Sequence, residues 1–409
     1  MKKKIFSVML FFTMMISGLV PVYGFESPDL GISGQSAIMI DQDSGQVIYD
    51  KNANNRIYPA SITKIVTCIT AIEMIKDFNA TTTITDDDIA TVWETGASAA
   101  NFMPGEVVTY RDLIMGAMLP SGADATRALA NNTCGNQEKF VEKMNQLASK
   151  LGCKDTHFVN TTGIHDDNHY TTVADMALLT QYALKNEDFK EAFNRYQYTS
   201  SNSQHSWVKK NIRNAKIRGV DTTMIEGCKS GFTDEAQHTL SSLLNINDHH
   251  YICVVAHCQN SPTYGNCAVN DTLTLANYVG SHYQYVELHK QGDHLANKKV
   301  TQGKQKTLKV VAPESIGAIV PTGYNEKDIK EKVSIKTLKA PLKKGDVIGT
   351  MTITYQNEQL STINLTSQQT IKKVKPKPQA HVSSILMPYG LAVVLIIVYI
   401  IIFKIKPKK

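Results

Sequence analysis

Between residues 61 and 190 apolar positions recur at helical spacing: Ile62, Ile65, Val66, Ile69 and Ile72 form one stripe, and Leu113, Met118 and their neighbours another. Side chains three and four positions apart share a helix face, so this stretch predicts a largely helical region. Before it, residues 36–40 and 46–49 are β-prone runs around Asp43-Ser44-Gly45, which predicts a hairpin. From residue 222 the pattern changes. Residues 223–229, 239–245 and 251–257 read as strands separated by turn-forming Thr233-Asp234 and Asn247-Asp248, a meander whose neighbours run antiparallel. A last helix is expected over 269–283. Residues 286–370 differ in kind: 307–311, 316–320, 333–338, 347–355 and 360–365 are short alternating runs at regular intervals, the cadence of a small all-β domain.

Two segments stand outside this scheme. Lys2, Lys3 and Lys4 precede an apolar run ending near Val20, with Val22-Tyr23-Gly24 before a plausible cut, the layout of a secretory signal peptide. At the other end residues 385–403 give 19 positions without a charge, followed by Lys404, Lys406, Lys408 and Lys409. That length is expected to cross a bilayer as a single membrane anchor. Lys372-Lys373-Val374-Lys375-Pro376-Lys377-Pro378 reads as a stiff, solvated spacer before it.

Composition removes several readings. With 409 residues, 42% of them apolar and only 13 prolines, the chain is neither collagen-like nor disordered. The net charge of +6 does not indicate nucleic-acid binding. Residues 1–24 hold three lysines and residues 372–409 eight, neither segment holds an acid, and the body between them is mildly acidic. Seven cysteines at irregular spacing, with no CxxC pair, leave at least one thiol free and offer no zinc ribbon.

Three short motifs carry candidate chemistry. In Pro59-Ala60-Ser61-Ile62-Thr63-Lys64, a serine opening the first helix has a lysine one turn on. An amine kept neutral by burial can take the hydroxyl proton and make an acylating nucleophile. Alone this pattern is weak, since Ser206-Trp207-Val208-Lys209 matches it equally well. Leu119-Pro120-Ser121-Gly122-Ala123 is a loop between two helical patterns, where a serine could relay a proton. Gly227-Cys228-Lys229-Ser230-Gly231-Phe232-Thr233-Asp234 ends a β-run and sets a lysine and a hydroxyl beside a glycine, an edge suited to an anionic peptide end.

The order Ser-x-x-Lys, Ser-Gly-x, Lys-Ser-Gly resembles the three-motif signature of penicillin-binding proteins and serine β-lactamases. The flanking text, including Thr156-His157-Phe158-Val159-Asn160 and the run from His165 to Thr172, is similar to the low-molecular-mass D-alanyl-D-alanine carboxypeptidases. The resemblance implies an α+β fold of the serine β-lactamase/DD-peptidase type. The expected organisation is a signal peptide over 1–24, a catalytic domain over 25–285 and a β-domain over 286–370. A linker over 371–384, a transmembrane helix over 385–403 and a basic cytoplasmic tail over 404–409 follow.

Carried over by position, the resemblance makes Ser61 the nucleophile, Lys64 the acylation base and Ser121 the proton relay. Lys229 and Ser230 would clamp the substrate carboxylate beside Gly231, with the Ser61 and Phe232 backbone N–H groups as oxyanion hole. It implies peptidoglycan stem peptides as substrates, β-lactams as covalent inhibitors, no cofactor and no metal; the charge distribution gives no nucleic-acid partner, and the leader and anchor predict an extracytoplasmic catalytic domain on the cell membrane. Two positions depart from the family pattern: Ser230 stands where threonine is usual, and Ala123 where the second motif usually ends in asparagine. A literal Ser-x-Asn at Ser200-Ser201-Asn202 lacks the flanking text. An endopeptidase or β-lactamase of the same fold, and a scaffold with weak catalysis, remain open. His157, His165 and His169 with Asp166 and Asp167 offer a weak metal reading, since the glycine and aspartates around them favour a loop over a converging helix. Cys68, two turns below Ser61, reads as a small buried apolar residue.

Overall fold

The computed structural model describes residues 27–261, 265–374 and 383–404. The signal peptide, most of the linker and all but Lys404 of the basic tail expected from the sequence lie outside them. The centre of the molecule is a five-stranded antiparallel sheet of β1 (Ser36–Asp41), β2 (Val47–Lys51), β3 (Ile225–Thr233), β4 (Gln237–Ile246) and β5 (His249–Cys258), in the order β2-β1-β5-β4-β3. The N-terminal hairpin thus joins the meander on the side of its last strand, and β3 is left as an edge.

Side chains on these strands are buried on both faces, which explains their nearly continuous apolar runs. Ile38, Ile40, Ile252 and Val254 face one core, whereas Ala37, Met39, Cys253 and Val255 face the other, as the two-residue period of a strand requires. The first core is closed by the helical lobe: α1 (Thr63–Ile72), α2 (Asp86–Thr95), α3 (Tyr110–Met118), α4 (Ala123–Cys134), α5 (Gln137–Leu151), α6 (Val173–Leu184) and α7 (Glu187–Asn194). The second is closed by α8 (Lys210–Ile217) and α9 (Cys267–His282). Both α2 and α3 begin with a reciprocal threonine–aspartate capping box, Thr85 with Asp88 and Thr109 with Asp112.

A separate apolar core holds the β-domain, whose strands include Thr307–Val311, Ile316–Pro321, Ile329–Ile335, Val347–Tyr355 and Glu358–Thr366. Two more, Tyr283–His289 and His294–Thr301, are strands that the sequence pattern does not reveal, because charged and polar residues interrupt their alternation. All seven cysteines are free. The C-terminal helix α10 covers Ser383–Lys404, and Val393 to Ile402 are exposed along it. Among the described residues no helix is long and apolar enough to cross a membrane.

Candidate active site

Ser61 does not cap the first helix. It sits in a 3-10 turn, Ala60–Ile62, ahead of α1, and the α1 cap position is Ile62 without a side-chain bond. The 3-10 turn runs directly into α1, so Ser61 opens the helix one turn before Lys64 as expected, and Ala60 takes a left-handed conformation, φ +48°, at the entry to that turn. The hydroxyl is therefore free of capping duty. It accepts a hydrogen bond from Lys64 Nζ at 2.9 Å, and the same amine donates to the Thr162 carbonyl at 2.5 Å.

Lys64 is 2% exposed and, among the described residues, pairs with no carboxylate. Burial pushes its amine down to about 7, opposed by Cys68 and Asp124. Because burial also pushes the Cys68 thiol up to about 12, no thiolate forms there at neutral pH, and the opposition falls to Asp124 alone. Asp124 is itself buried and occupied: its carboxylate accepts from the backbone N–H of Ala100 at 2.8 Å, Phe102 at 3.1 Å and Ala125 at 2.9 Å. Sequence reading passed over Asp124, since one acid at a helix start looks like an ordinary first-turn residue.

The second serine lies in the loop between α3 and α4. Ser121 also adopts a left-handed backbone, φ +69°, and its hydroxyl accepts from Lys229 Nζ at 2.9 Å. Lys229 comes from within β3 rather than from the end of a strand, and it donates to the Ser230 carbonyl at 2.8 Å. Burial, then the charges of Lys64 and Lys209, hold its amine well below the usual lysine range.

Two glycines allow these pieces to meet. A Cβ at Gly231 would stand 2.6 Å from the Ser61 nitrogen and 2.6 Å from Thr239 Oγ1. One at Gly163 would stand 1.9 Å from the Ala60 carbonyl oxygen. The nucleophile turn is thus pressed between β3 and the 162–164 loop at distances only glycine permits.

Ser61, Lys64, Ser121, Lys229, Ser230, Gly231 and Phe232 all line one cleft of about 750 Å³ between the sheet edge and the helical lobe. Ala123 is fully buried at the first turn of α4 and offers that cleft no polar atom. The literal Ser-x-Asn is employed elsewhere: Ser201 donates to Asp112 Oδ2 at 2.5 Å, and Asn202 donates to Glu106 Oε1 at 2.8 Å. The histidines have separate structural partners. His169, pushed down to about 4 by burial, pairs with Thr63 Oγ1 at 2.8 Å, and His157 Nδ1 with the Asn168 carbonyl at 2.7 Å. Among the described residues no cluster of three or more histidine, cysteine, aspartate or glutamate side chains forms a metal site.

Residues 24–260 match the family model described as D-alanyl-D-alanine carboxypeptidase. The chain belongs to that family. Residues 283–373 match the C-terminal domain of penicillin-binding protein 5. Among similar proteins, D-alanyl-D-alanine carboxypeptidase DacF of Bacillus subtilis is 31% identical over 357 residues, covering 86% of this chain and 89% of the relative. DacA of Escherichia coli K12 is 28% identical over 78% of this chain and 79% of its own length. The solved structure of penicillin binding protein 5 from Haemophilus influenzae superposes with a TM-score of 0.69, covering 86% of this chain and all of that one at 23% identity, a likeness of fold. As a family member the chain is a serine D-Ala-D-Ala carboxypeptidase, with the expected α+β catalytic region followed by a β-domain.

Proposed function

We propose that this cleft removes the terminal D-alanine from peptidoglycan stem peptides through an acyl-enzyme on Ser61. The observation that carries this reading is the 2.9 Å contact between Ser61 Oγ and a buried Lys64 amine whose proton affinity has fallen to that of a neutral-pH base. Lys64 takes the hydroxyl proton as Ser61 Oγ attacks the carbonyl carbon of the penultimate D-alanine. The developing oxyanion is met by the Ser61 and Phe232 backbone N–H groups. The amide C–N bond then breaks as Ser121 gives its proton to the leaving amine and takes in its place the one Lys64 received, so free D-alanine departs and Lys64 is neutral again. Water, deprotonated by Lys64, attacks the ester carbonyl; the C–O bond to Ser61 breaks, Lys64 returns the proton to Ser61 Oγ, and the shortened peptide leaves.

The edge position of β3 supports an extended substrate laid along it, with its C-terminal carboxylate against Lys229 and Ser230. A β-lactam, which carries a carboxylate and a strained amide, would enter by the same contacts and stay as the Ser61 ester. The catalytic region is assigned to the extracytoplasmic side of a membrane, with residues 385–403 as anchor. The supporting features are the uncharged run, the lysines that follow it and the leader-like N-terminus. Fractionation of the full chain against one ending at residue 374 tests the anchor: the short form must leave the membrane pellet.

The catalytic reading is tested with a fluorescent penicillin and a model pentapeptide. Ser61-dependent labelling that disappears in Ser61→Ala, together with D-alanine release, is the expected result. Labelling without D-alanine release would favour the endopeptidase or β-lactamase reading, and no labelling would favour the scaffold.

A further inference from the structure

The cleft contains a third buried lysine that the reaction above does not use. Lys209, which in the sequence looks like the end of a chance Ser-x-x-Lys match, is 4% exposed and lines the cleft together with Lys64 and Lys229. Its Nζ donates to the Cys228 carbonyl at 2.9 Å and to the Phe193 carbonyl. Cys228 immediately precedes Lys229 on β3, and Phe193 lies in the last turn of α7. Among the described residues no carboxylate pairs with the amine; both partners are carbonyl oxygens, one of them in a helix end that favours a cation. The ring of Phe193 lies 5.6 Å from the same nitrogen.

We propose that Lys209 is a positioning residue of the carboxypeptidase site: a buried amine that ties the strand carrying Lys229 to the end of α7 and, while protonated, adds positive field to the Lys229–Ser121 pair. The inference rests on the reading of Lys229 as the carboxylate clamp. Burial lowers the proton affinity of Lys209 as well, while two carbonyl acceptors and the end of α7 favour its charged form. Lys229 faces Lys64 and Cys68 from α1, Lys209 from the segment before α8, and Cys228 from its own strand. Asp124 from α4 acts on Lys64, and Lys210 and Arg218 line the α8 side of the cleft. His165, Asp234, Glu235 and His238 also line it. Lys229 and Lys209 thus share a site whose third lysine, Lys64, adds to their repulsion while it is protonated, and Asp124, the carboxylate that acts on Lys64, is engaged by backbone donors. An entering carboxylate relieves that repulsion, and Lys209 contributes to its pull without touching the substrate. With Lys209 in place Lys229 gives up its proton earlier as pH rises, so carboxylate capture is lost on the alkaline side sooner than it would be without Lys209.

The test compares the pH dependence of kcat/KM for D-alanine release from pH 5 to 11 in the full chain, Lys209→Met and Lys209→Arg. Lys209→Met is expected to move the alkaline limb upward by at least about half a pH unit and to leave the acid limb, set by Lys64, in place. Lys209→Arg, which keeps the charge, is expected to leave both limbs where they are. A Lys209→Met enzyme that is slower with both limbs unmoved is a strut only, and this overturns the proposal. So does a wild-type profile with no alkaline limb below pH 11. If Lys209→Met fails to fold, Lys209→Gln keeps an N–H donor for the carbonyls, removes the charge and must shift the limb likewise. Titration of 13C-labelled lysine Cε by NMR reads Lys229 without turnover, so an unmoved Lys229 refutes the inference even where absence of Ser61-dependent D-alanine release has already refuted the catalytic reading.

Discussion

A lysine costs folding free energy when it is buried without an acid, and Lys64 is in that position for the sake of Ser61. The sign follows from the two states. An unfolded lysine holds its proton to about 10.4, whereas Lys64 in place releases it at about 7. Between those values the unfolded chain binds more protons, so stability rises with pH across that window, and below about 7 the cost of the buried charge is present in full. The same titration supplies the base, so acylation is expected to climb from acid pH through about 7 and to hold until Lys229 gives up its proton on the alkaline side. Lys64→Met should therefore lose acylation yet melt at a higher temperature than the parent at pH 6, as parallel penicillin-labelling and calorimetry series would show; a lower melting temperature at pH 6 would mean that the amine's hydrogen bonds outweigh its desolvation. Ala123 poses the opposite case, a buried position with no polar atom where the family pattern usually has an amide. Ala123→Asn is expected to raise the acylation rate constant with a β-lactam, and an unchanged or lower value would show a site rebuilt around alanine.

At the scale of elements, the site depends on how closely one turn meets one strand. In Gly231→Ala the new methyl would fall 2.6 Å from both the Ser61 nitrogen and Thr239 Oγ1, so β3 and the nucleophile turn must separate. The expected outcome is a fall in acylation on the order of 100-fold, the size of effect associated with a misplacement near 1 Å, with stability lowered by about 1–3 kcal/mol as for other overpacked sites. Stopped-flow acylation and urea unfolding of the variant check the two parts. These contacts explain what the sequence could and could not disclose. Motif order, the helical region and the strands of the meander were legible because periodicity and local residue chemistry are written in adjacent positions. The placement of Ser61 in a 3-10 turn was not, because it depends on the left-handed Ala60 and on Gly163 a hundred positions away. Nor was the pairing of β1 with β5, which hydrophobic alternation permits but does not dictate. Lys209 was set aside because a lysine's burial is decided by partners, here the carbonyls of Phe193 and Cys228, that no local pattern announces.

Across the whole molecule, the catalytic sheet and the β-domain are joined by a bracket of unusual economy. Gln46, 1% exposed on the approach to β2, donates from Nε2 to the Ile319 carbonyl at 2.8 Å and accepts from the Ile319 N–H at 2.9 Å. One side-chain amide thus stands in for a neighbouring strand and satisfies both backbone groups of a fully buried residue. Beside it His249 stacks on Tyr285 at 4.0 Å, while its Nε2 meets Asp41 at 2.6 Å, so the joint is polar at its centre and aromatic at its flank. Removing the amide leaves a buried donor and a buried acceptor without partners, each worth about 1–3 kcal/mol. Gln46→Leu should therefore lower the melting temperature or split the unfolding transition in two, with the β-domain released first. Since Gln46 is absent from the cleft lining, D-alanine release from a small soluble peptide at 25 °C should remain near the parental rate. Scanning calorimetry alongside that assay separates the alternatives: a matching loss of rate would mean that the joint sets the geometry of the cleft, and an unaltered melting profile would mean that water replaces the amide without cost.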